Sequence, residues 1–194
     1  MYVHKEAKLV FLANPRTGST SVAKALMEIG FEQDGTHHSA RDIDGYTTFA
    51  VVRNHWDAAV SWVFGKHLGE YKDLDFTVET FEFALDNEYV TEHEMWGYHK
   101  PDLVVRFEGV AAPYPLSMEE QINFILAPGV GYHFSGPPKT IRLGVCKLDA
   151  IALQRANVST VRNGRHYREF YTDETRDYIG NRFKDEIERL GYEF

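Results

Sequence analysis

Residues 9–21 have the sequence Leu-Val-Phe-Leu-Ala-Asn-Pro-Arg-Thr-Gly-Ser-Thr-Ser, and the fold can be predicted by working outward from them. The apolar run Leu9–Ala13 is typical of a strand buried on both faces of a parallel sheet. Asn14 ends the run, and apolar residues recur at helical spacing over Ser19–Ile29. We therefore predict a strand, a short loop and a helix that Gly30 terminates.

The same order of elements recurs further along the chain. The apolar run Phe49–Val52 predicts a second strand, which ends at Arg53 and leads into a helix that begins near Asn54. Further patterns predict a helix at Thr77–Leu85, a strand at 102–106, a helix at Ser117–Leu126 with Ser117 and Glu120 as a capping box, a loop at 128–139 and one long helix at Thr172–Leu190 that Gly191 ends. Strands that alternate with helices predict an α/β fold with a mainly parallel sheet flanked by helices, in which ligands bind at the carboxyl ends of the strands.

Composition limits the functional classes that fit this chain. With 194 residues, 43% of them hydrophobic and 26% charged, we expect one globular domain over 1–194. The net charge of −8 argues against a general binder of nucleic acid or of anionic membranes. The first apolar run is too short for a signal sequence or a membrane span, and a single cysteine, Cys146, fits a reducing compartment. We expect a cytoplasmic protein, and the sequence leaves its oligomeric state open.

The loop after the first strand has the composition of an anion site. Arg16 supplies a permanent cation, and Gly18 permits close approach of the backbone to a ligand. Three hydroxyl residues, Ser19, Thr20 and Ser21, open a helix whose N-terminal N–H groups and dipole favour a phosphate-like group. The alternative is an ordinary helix start in which a Ser or Thr side chain caps the helix. The loop is not a Walker A motif, because the leading glycine and the lysine of that motif are missing.

The second strand is followed by another candidate anion contact. Arg53 lies at the end of the strand, and Ser61 lies eight residues later on the second turn of the predicted helix. One anion near the start of this helix could contact both side chains. The alternative is an arginine that is only solvated at the end of a strand.

Three segments together resemble the signature elements of sulfotransferases that use 3′-phosphoadenosine 5′-phosphosulfate (PAPS). Pro15–Ser21 resembles the loop that holds the 5′-phosphosulfate, and Val52–Trp62 resembles the strand and helix that hold the 3′-phosphate. Ser159–Arg168, with Arg162 and Gly164, resembles the C-terminal cofactor loop of the family. The resemblance implies a P-loop-NTPase-like sulfotransferase fold and sulfonyl transfer from PAPS to a hydroxyl or amine.

The resemblance also implies roles for individual residues. The residues matching the 5′-phosphosulfate loop are Arg16, Thr17, Gly18, Ser19, Thr20 and Ser21, and those matching the 3′-phosphate site are Arg53, Ser61, Arg162 and Gly164. Arg16 would also act in catalysis by stabilising charge on the leaving phosphate. The family often has lysine at this position, and arginine retains the charge but gives up a proton less readily. A sulfonyl group carries less charge than a phosphoryl group, so no metal is expected.

A hydroxyl acceptor would need a general base, and histidine has the appropriate pKa. We expect this base to be His38, or else His37, because both follow the first helix in a region where some relatives of the family have a base. The alternative is that both are surface histidines. The acceptor is expected to be a small molecule or a carbohydrate, and the sequence leaves a lipid and a peptide tyrosine open as well.

Two other functions are kept as alternatives. The first is a nucleotide-dependent phosphotransferase of the kinase type, which shares the strand, loop and helix but needs ATP and Mg²⁺. The second is a non-catalytic adenylate-binding module, which would bind adenosine 3′,5′-bisphosphate and transfer nothing.

Overall fold

The computed structural model describes residues 1–35, 43–64, 77–86, 101–109, 116–127, 130–132, 140–142, 148–153 and 165–194. The chain divides into two compact units. The first consists of Met1–Val52 and Gly97–Ala156, and the second of Arg53–Trp96 and Asn157–Phe194. Each unit is built from two separate segments of the chain, and the expectation of one domain over 1–194 stays a prediction.

The elements follow one another in an α/β order. The strands are β1 (Tyr2–His4), β2 (Leu9–Leu12), β3 (Glu32–Gln33), β4 (Thr47–Val52), β5 (Leu103–Arg106), β6 (Val130–Tyr132) and β7 (Thr140–Arg142). The helices are α1 (Ser19–Glu28), α2 (His55–Val63), α3 (Val78–Asp86), α4 (Met118–Leu126), α5 (Asp173–Arg182) and α6 (Lys184–Leu190), with a 3₁₀ turn at Tyr167–Phe170. The predicted α/β class is confirmed.

The first unit contains a five-stranded sheet in the order β3-β1-β2-β4-β5. Strands β2, β4 and β5 pair in parallel, whereas β1 pairs antiparallel with both β2 and β3, so four of the five strands run in one direction. The sheet is therefore mixed, although mostly parallel as predicted. Strand β1 was not predicted, because three residues of which only Val3 is buried give too short a pattern to recognise.

Strand β2 is buried on both faces, as its continuous apolar sequence predicted. Leu9 and Phe11 belong to a core cluster with residues of β4, β5, α1 and α4, and the rings of Phe11 and Phe49 lie 5.2 Å apart. Val10 and Leu12 belong to a second cluster with residues of β1 and β4. Successive side chains of a strand point to opposite faces, so this strand needs apolar residues at every position.

Polar side chains bond to both ends of β5, which lies at the edge of the sheet. At its start, the Asp102 carboxylate accepts hydrogen bonds from the backbone N–H and the hydroxyl of Thr48, at 2.8 and 2.9 Å. At its end, the fully buried Gln121 of α4 accepts from the Arg106 N–H at 2.9 Å and donates to the Arg106 carbonyl at 3.1 Å. The side-chain amide of Gln121 thus pairs with the N–H and the carbonyl of Arg106, which lie on the side of β5 where the sheet has no further described strand.

The second unit packs helices around the aromatic side chain of Trp56. Its indole N–H donates to the carbonyl of Arg176 in α5 at 2.9 Å, and the Tyr171 hydroxyl donates to the Trp56 carbonyl at 2.8 Å. Gly180 of α5 allows this packing, because a Cβ there would lie 3.3 Å from the Trp56 ring. The C-terminal segment is therefore anchored on α2.

Two predicted elements are corrected. The segment 128–139 was expected to be a loop, but Val130–Tyr132 is a strand because it pairs antiparallel with Thr140–Arg142. The single helix expected over Thr172–Leu190 is two helices, since Phe183 has φ −112° and ψ 22° and interrupts the helical backbone. Its ring is buried, and the break falls three residues after Gly180.

The other predicted boundaries are close to the observed ones. Gly30 and Gly191 follow their helices with positive φ, at 97° and 64°, as expected for glycine at a helix C-terminus. The capping box of Ser117 and Glu120 is also confirmed, since the Ser117 hydroxyl accepts from the Glu120 N–H at 3.2 Å.

Candidate functional site

The loop between β2 and α1 has an unusual backbone. Arg16 has φ 59° and Gly18 has φ 74°, so two residues of this short loop have a left-handed backbone, and Thr17 between them does not have a positive φ. Left-handed residues at such turns are typical of the concave nests in which successive backbone N–H groups bind anions. A left-handed backbone at arginine is strained by about 1–3 kcal/mol, and such strain is concentrated at functional sites.

Internal hydrogen bonds hold the loop in this shape. The Asn14 side-chain amide donates to the Val51 carbonyl at the end of β4, at 3.2 Å. The Thr17 hydroxyl donates to the Asn14 carbonyl at 2.9 Å, and Thr17 is fully buried. The hydroxyl of Thr17 therefore supports the loop from inside the protein.

Helix α1 begins without a side-chain cap. Its N-cap residue is Gly18, which makes no side-chain hydrogen bond, and the first turn contains no acidic residue. The alternative of an ordinary Ser or Thr cap is therefore wrong, because Ser19 and the two residues after it already lie inside the helix. In the described part of the chain, the N–H groups of Gly18, Ser19 and Thr20 donate no hydrogen bond. An anion would satisfy these donors and interact favourably with the helix dipole.

The side of Gly18 that a Cβ would occupy is covered by apolar side chains. A Cβ at this position would lie 3.1 Å from a ring carbon of Phe107 and 3.6 Å from the terminal methyl of Met118. Phe107 directly follows β5, and its N–H donates to the Val52 carbonyl at 2.8 Å. Glycine is thus required here both by its backbone conformation and by the close approach of Phe107.

Helix α2 in the second unit begins in a different way. The Asn54 side chain caps it by accepting hydrogen bonds from the N–H groups of Trp56 and Asp57, at 3.0 and 3.4 Å. The guanidinium Nε of Arg53 donates to the Asp57 carboxylate, and each of the two side chains is 12% exposed. Ser61 lies on the second turn, as predicted, and is half-buried. This helix start therefore already has a cap, a carboxylate and a paired cation.

The first residue of α2 is a buried histidine that contacts α6. His55 is fully buried, and its Nε2 lies 3.1 Å from a carboxylate oxygen of Glu186. The rings of Phe183 and Tyr192 lie 5.2 and 6.1 Å from the imidazole. Burial lowers the pKa of His55, whereas the hydrogen bond and negative charge of Glu186 raise it, and burial dominates. In the neutral imidazole, Nε2 donates to the carboxylate.

The structure describes some of the predicted site residues and not others. Six of them form one continuous loop and helix start in the first unit, namely Arg16, Thr17, Gly18, Ser19, Thr20 and Ser21. Arg53 and Ser61 belong to the second unit. His37, His38, Arg162 and Gly164 lie outside the described residues.

Sequence reasoning missed two residues beside these positions. Asp57 lies four residues after Arg53, and opposite charges at this spacing are a known signal for an ion pair in a helix. Phe107 gave no signal, because its contact with Gly18 depends on the pairing of strands that are distant in sequence.

Comparison of the chain with protein-family models, with curated proteins and with solved structures gave no match. No helix in the described stretches is both long and apolar enough to cross a membrane. Among the same residues, no group of three or more His, Cys, Asp or Glu side chains is arranged to hold a metal ion.

We predict that Gly18→Ala lowers the free energy of unfolding by about 1–3 kcal/mol, because it combines left-handed strain with a clash against Phe107. Gly45→Ala is the matched control, since Gly45 has φ 80° and no heavy atom within 4 Å of its missing Cβ. Urea unfolding measures both variants. An equal loss in the two variants would show that the contact with Phe107 has no energetic effect.

We predict that His55 makes stability depend on pH below its usual pKa of 6.5. The folded state binds the proton less readily than the unfolded state, so the free energy of unfolding falls as the pH drops from 6.5 through the lowered pKa. Above pH 6.5 both states are neutral at this group, and it contributes no pH dependence. His55→Gln should flatten the decline in urea unfolding measured from pH 7.5 to 5. Parallel curves for the two proteins would contradict this prediction.

Proposed function

We propose that this chain is a PAPS-dependent sulfotransferase with a P-loop-NTPase-like sulfotransferase fold, and that it transfers a sulfonyl group to a hydroxyl or amine. The observation that carries the proposal is the start of α1, where a left-handed Arg16 and an uncapped Gly18 follow a buried strand. Such a loop suits a phosphate or sulfate group. The resemblance of three segments in the family's order supports PAPS in particular.

The proposed role of the loop is to bind the 5′-phosphosulfate and to stabilise the leaving group. The N–H groups of Gly18, Ser19 and Thr20 donate to its oxygens, and the guanidinium of Arg16 adds a permanent positive charge. The acceptor oxygen attacks sulfur in line, and the bond from sulfur to the bridging oxygen of the 5′-phosphate breaks. Negative charge then develops on that phosphate, where preorganised donors lower the barrier most effectively.

The acceptor proton must leave during this transfer. His38, or else His37, is proposed to accept it, so that the products are a sulfonated acceptor, adenosine 3′,5′-bisphosphate and a protonated base. The 3′-phosphate is assigned to Arg53, Ser61 and Arg162 by the resemblance, with Gly164 in the same loop as Arg162. The proposed acceptor is a small molecule or a carbohydrate, and the proposed location is the cytoplasm.

Binding and transfer are tested separately. We expect adenosine 3′,5′-bisphosphate to raise the melting temperature in a concentration-dependent way, and ATP with Mg²⁺ to have little effect. Labelled PAPS should then transfer sulfonate to at least one member of a panel of sugar, phenol, alcohol and amine acceptors. Failure to bind the bisphosphate at millimolar concentration would overturn the proposal. Tight binding without transfer would instead favour a non-catalytic adenylate-binding module, and stabilisation by ATP with Mg²⁺ a phosphotransferase.

Two arginine variants should separate catalysis from binding. We predict that Arg16→Ala lowers kcat far more than it weakens bisphosphate binding, because its charge is needed most when the leaving phosphate forms. Arg53→Ala should weaken bisphosphate binding by about 1.5–3 kcal/mol, which is the range for a charge-assisted hydrogen bond. Titration calorimetry and turnover assays provide both numbers, and Lys24→Ala on the exposed side of α1 is the control. Equal effects of the two variants on both quantities would refute this division of roles.

A further inference from the structure

A carboxylate lies beside the residues assigned to the 3′-phosphate. Arg53, Asp57 and Ser61 are spaced by four residues, so Asp57 and Ser61 lie one turn apart on the same side of α2. Asp57 accepts the hydrogen bond of the Arg53 guanidinium, and both side chains are 12% exposed. An anion held by Arg53 and Ser61 would therefore contact, or lie close to, a negative charge.

We propose that Asp57 determines which anions this position accepts, by excluding free inorganic anions in favour of a phosphate carried on a nucleotide. The pair of Arg53 and Asp57 has no net charge, so it gives little attraction to a free anion that has no other contact with the protein. The carboxylate also repels an incoming anion at short range. A phosphate attached to adenosine can overcome both effects, because the rest of the nucleotide contributes binding energy. This inference rests on the proposed function, which assigns Arg53 and Ser61 to the 3′-phosphate and names the nucleotide.

The position of Asp57 is well defined by its surroundings. Its backbone N–H donates to the Asn54 side chain at 3.4 Å, and Asp57 is buried in the first turn of α2, where the helix dipole favours a negative charge. A protein can gain specificity by making the binding of an unwanted ligand unfavourable, and a like charge placed beside the binding position has this effect. Inorganic phosphate is the relevant competitor, since it offers the same oxygens as the 3′-phosphate.

Removing the charge of Asp57 tests the proposal. Asp57→Asn retains the size of the side chain and an oxygen that can accept from Arg53. All proteins contain Arg16→Ala, which removes the cation of the loop before α1, and any phosphate that the N–H groups of this loop still bind is the same background in every variant. We expect inorganic phosphate, measured by titration calorimetry at fixed ionic strength, to bind Asp57→Asn at least about tenfold more tightly than the parent. Adding Arg53→Ala to this variant should abolish the gain.

Two further variants control for folding and for general charge effects. Asp173→Asn is the matched control, because Asp173 also lies in the first turn of a helix and its carboxylate accepts from Arg176 at 2.8 Å. It should leave phosphate affinity unchanged. Asp57→Ser removes the charge with a smaller side chain and should change affinity in the same direction as Asp57→Asn. Circular dichroism melting identifies any variant that fails to fold.

The outcomes separate this inference from the proposed function. Equal phosphate affinity in the parent and in both Asp57 variants would overturn the role of Asp57, as would a gain that persists without Arg53. Failure of the wild-type chain to bind adenosine 3′,5′-bisphosphate would overturn the proposed function, while the inorganic phosphate titrations would still report on Asp57. Binding of the bisphosphate together with a gain confined to the Asp57 variants would support both.

Discussion

Burial of β2 on both faces is the constraint on which the first unit depends. A strand with apolar side chains on both sides must lie inside the sheet, and it therefore gains a neighbour on each edge, β1 and β4. The carboxyl end of β2 therefore lies beside that of β4, and the Asn14 side-chain amide donates a hydrogen bond to the Val51 carbonyl there. The position of the candidate loop between β2 and α1 thus follows from the packing of the strand before it.

The residues that could be predicted are those with a local cause. The apolar run of β2, the helical spacing of α1, the glycines at helix ends and the capping box at Ser117 depend on neighbours a few residues away, and their patterns are visible in the sequence. The candidate loop was predicted for the same reason, since Arg16 and Gly18 stand between a strand and a helix. The conventional cap considered there was wrong, because the backbone enters the helix one residue before the hydroxyls.

The features that could not be predicted depend on distant partners. The break between α5 and α6 lies at Phe183, whose ring is buried against a histidine from another helix. The short strand β1 gains its strand character only by pairing with β2 and β3. The ring of Phe107 lies against Gly18 because β5, which Phe107 follows, pairs with β4 in the sheet. Such contacts are properties of the tertiary structure, and local propensity does not encode them.

The N-termini of α1 and α2 differ in their caps and in the charges of their first turns. Helix α1 has a glycine cap and no acid in its first turn, so its dipole favours a negative charge at its start. Helix α2 has an asparagine cap that accepts from the N–H groups of Trp56 and Asp57, and the Asp57 carboxylate pairs with Arg53. In a chain with a net charge of −8, long-range attraction of an anionic ligand is weak or absent. An anion bound at the start of α1 would therefore depend on short-range hydrogen bonds from the N–H groups of Gly18, Ser19 and Thr20, which do not depend on the charge of the whole protein.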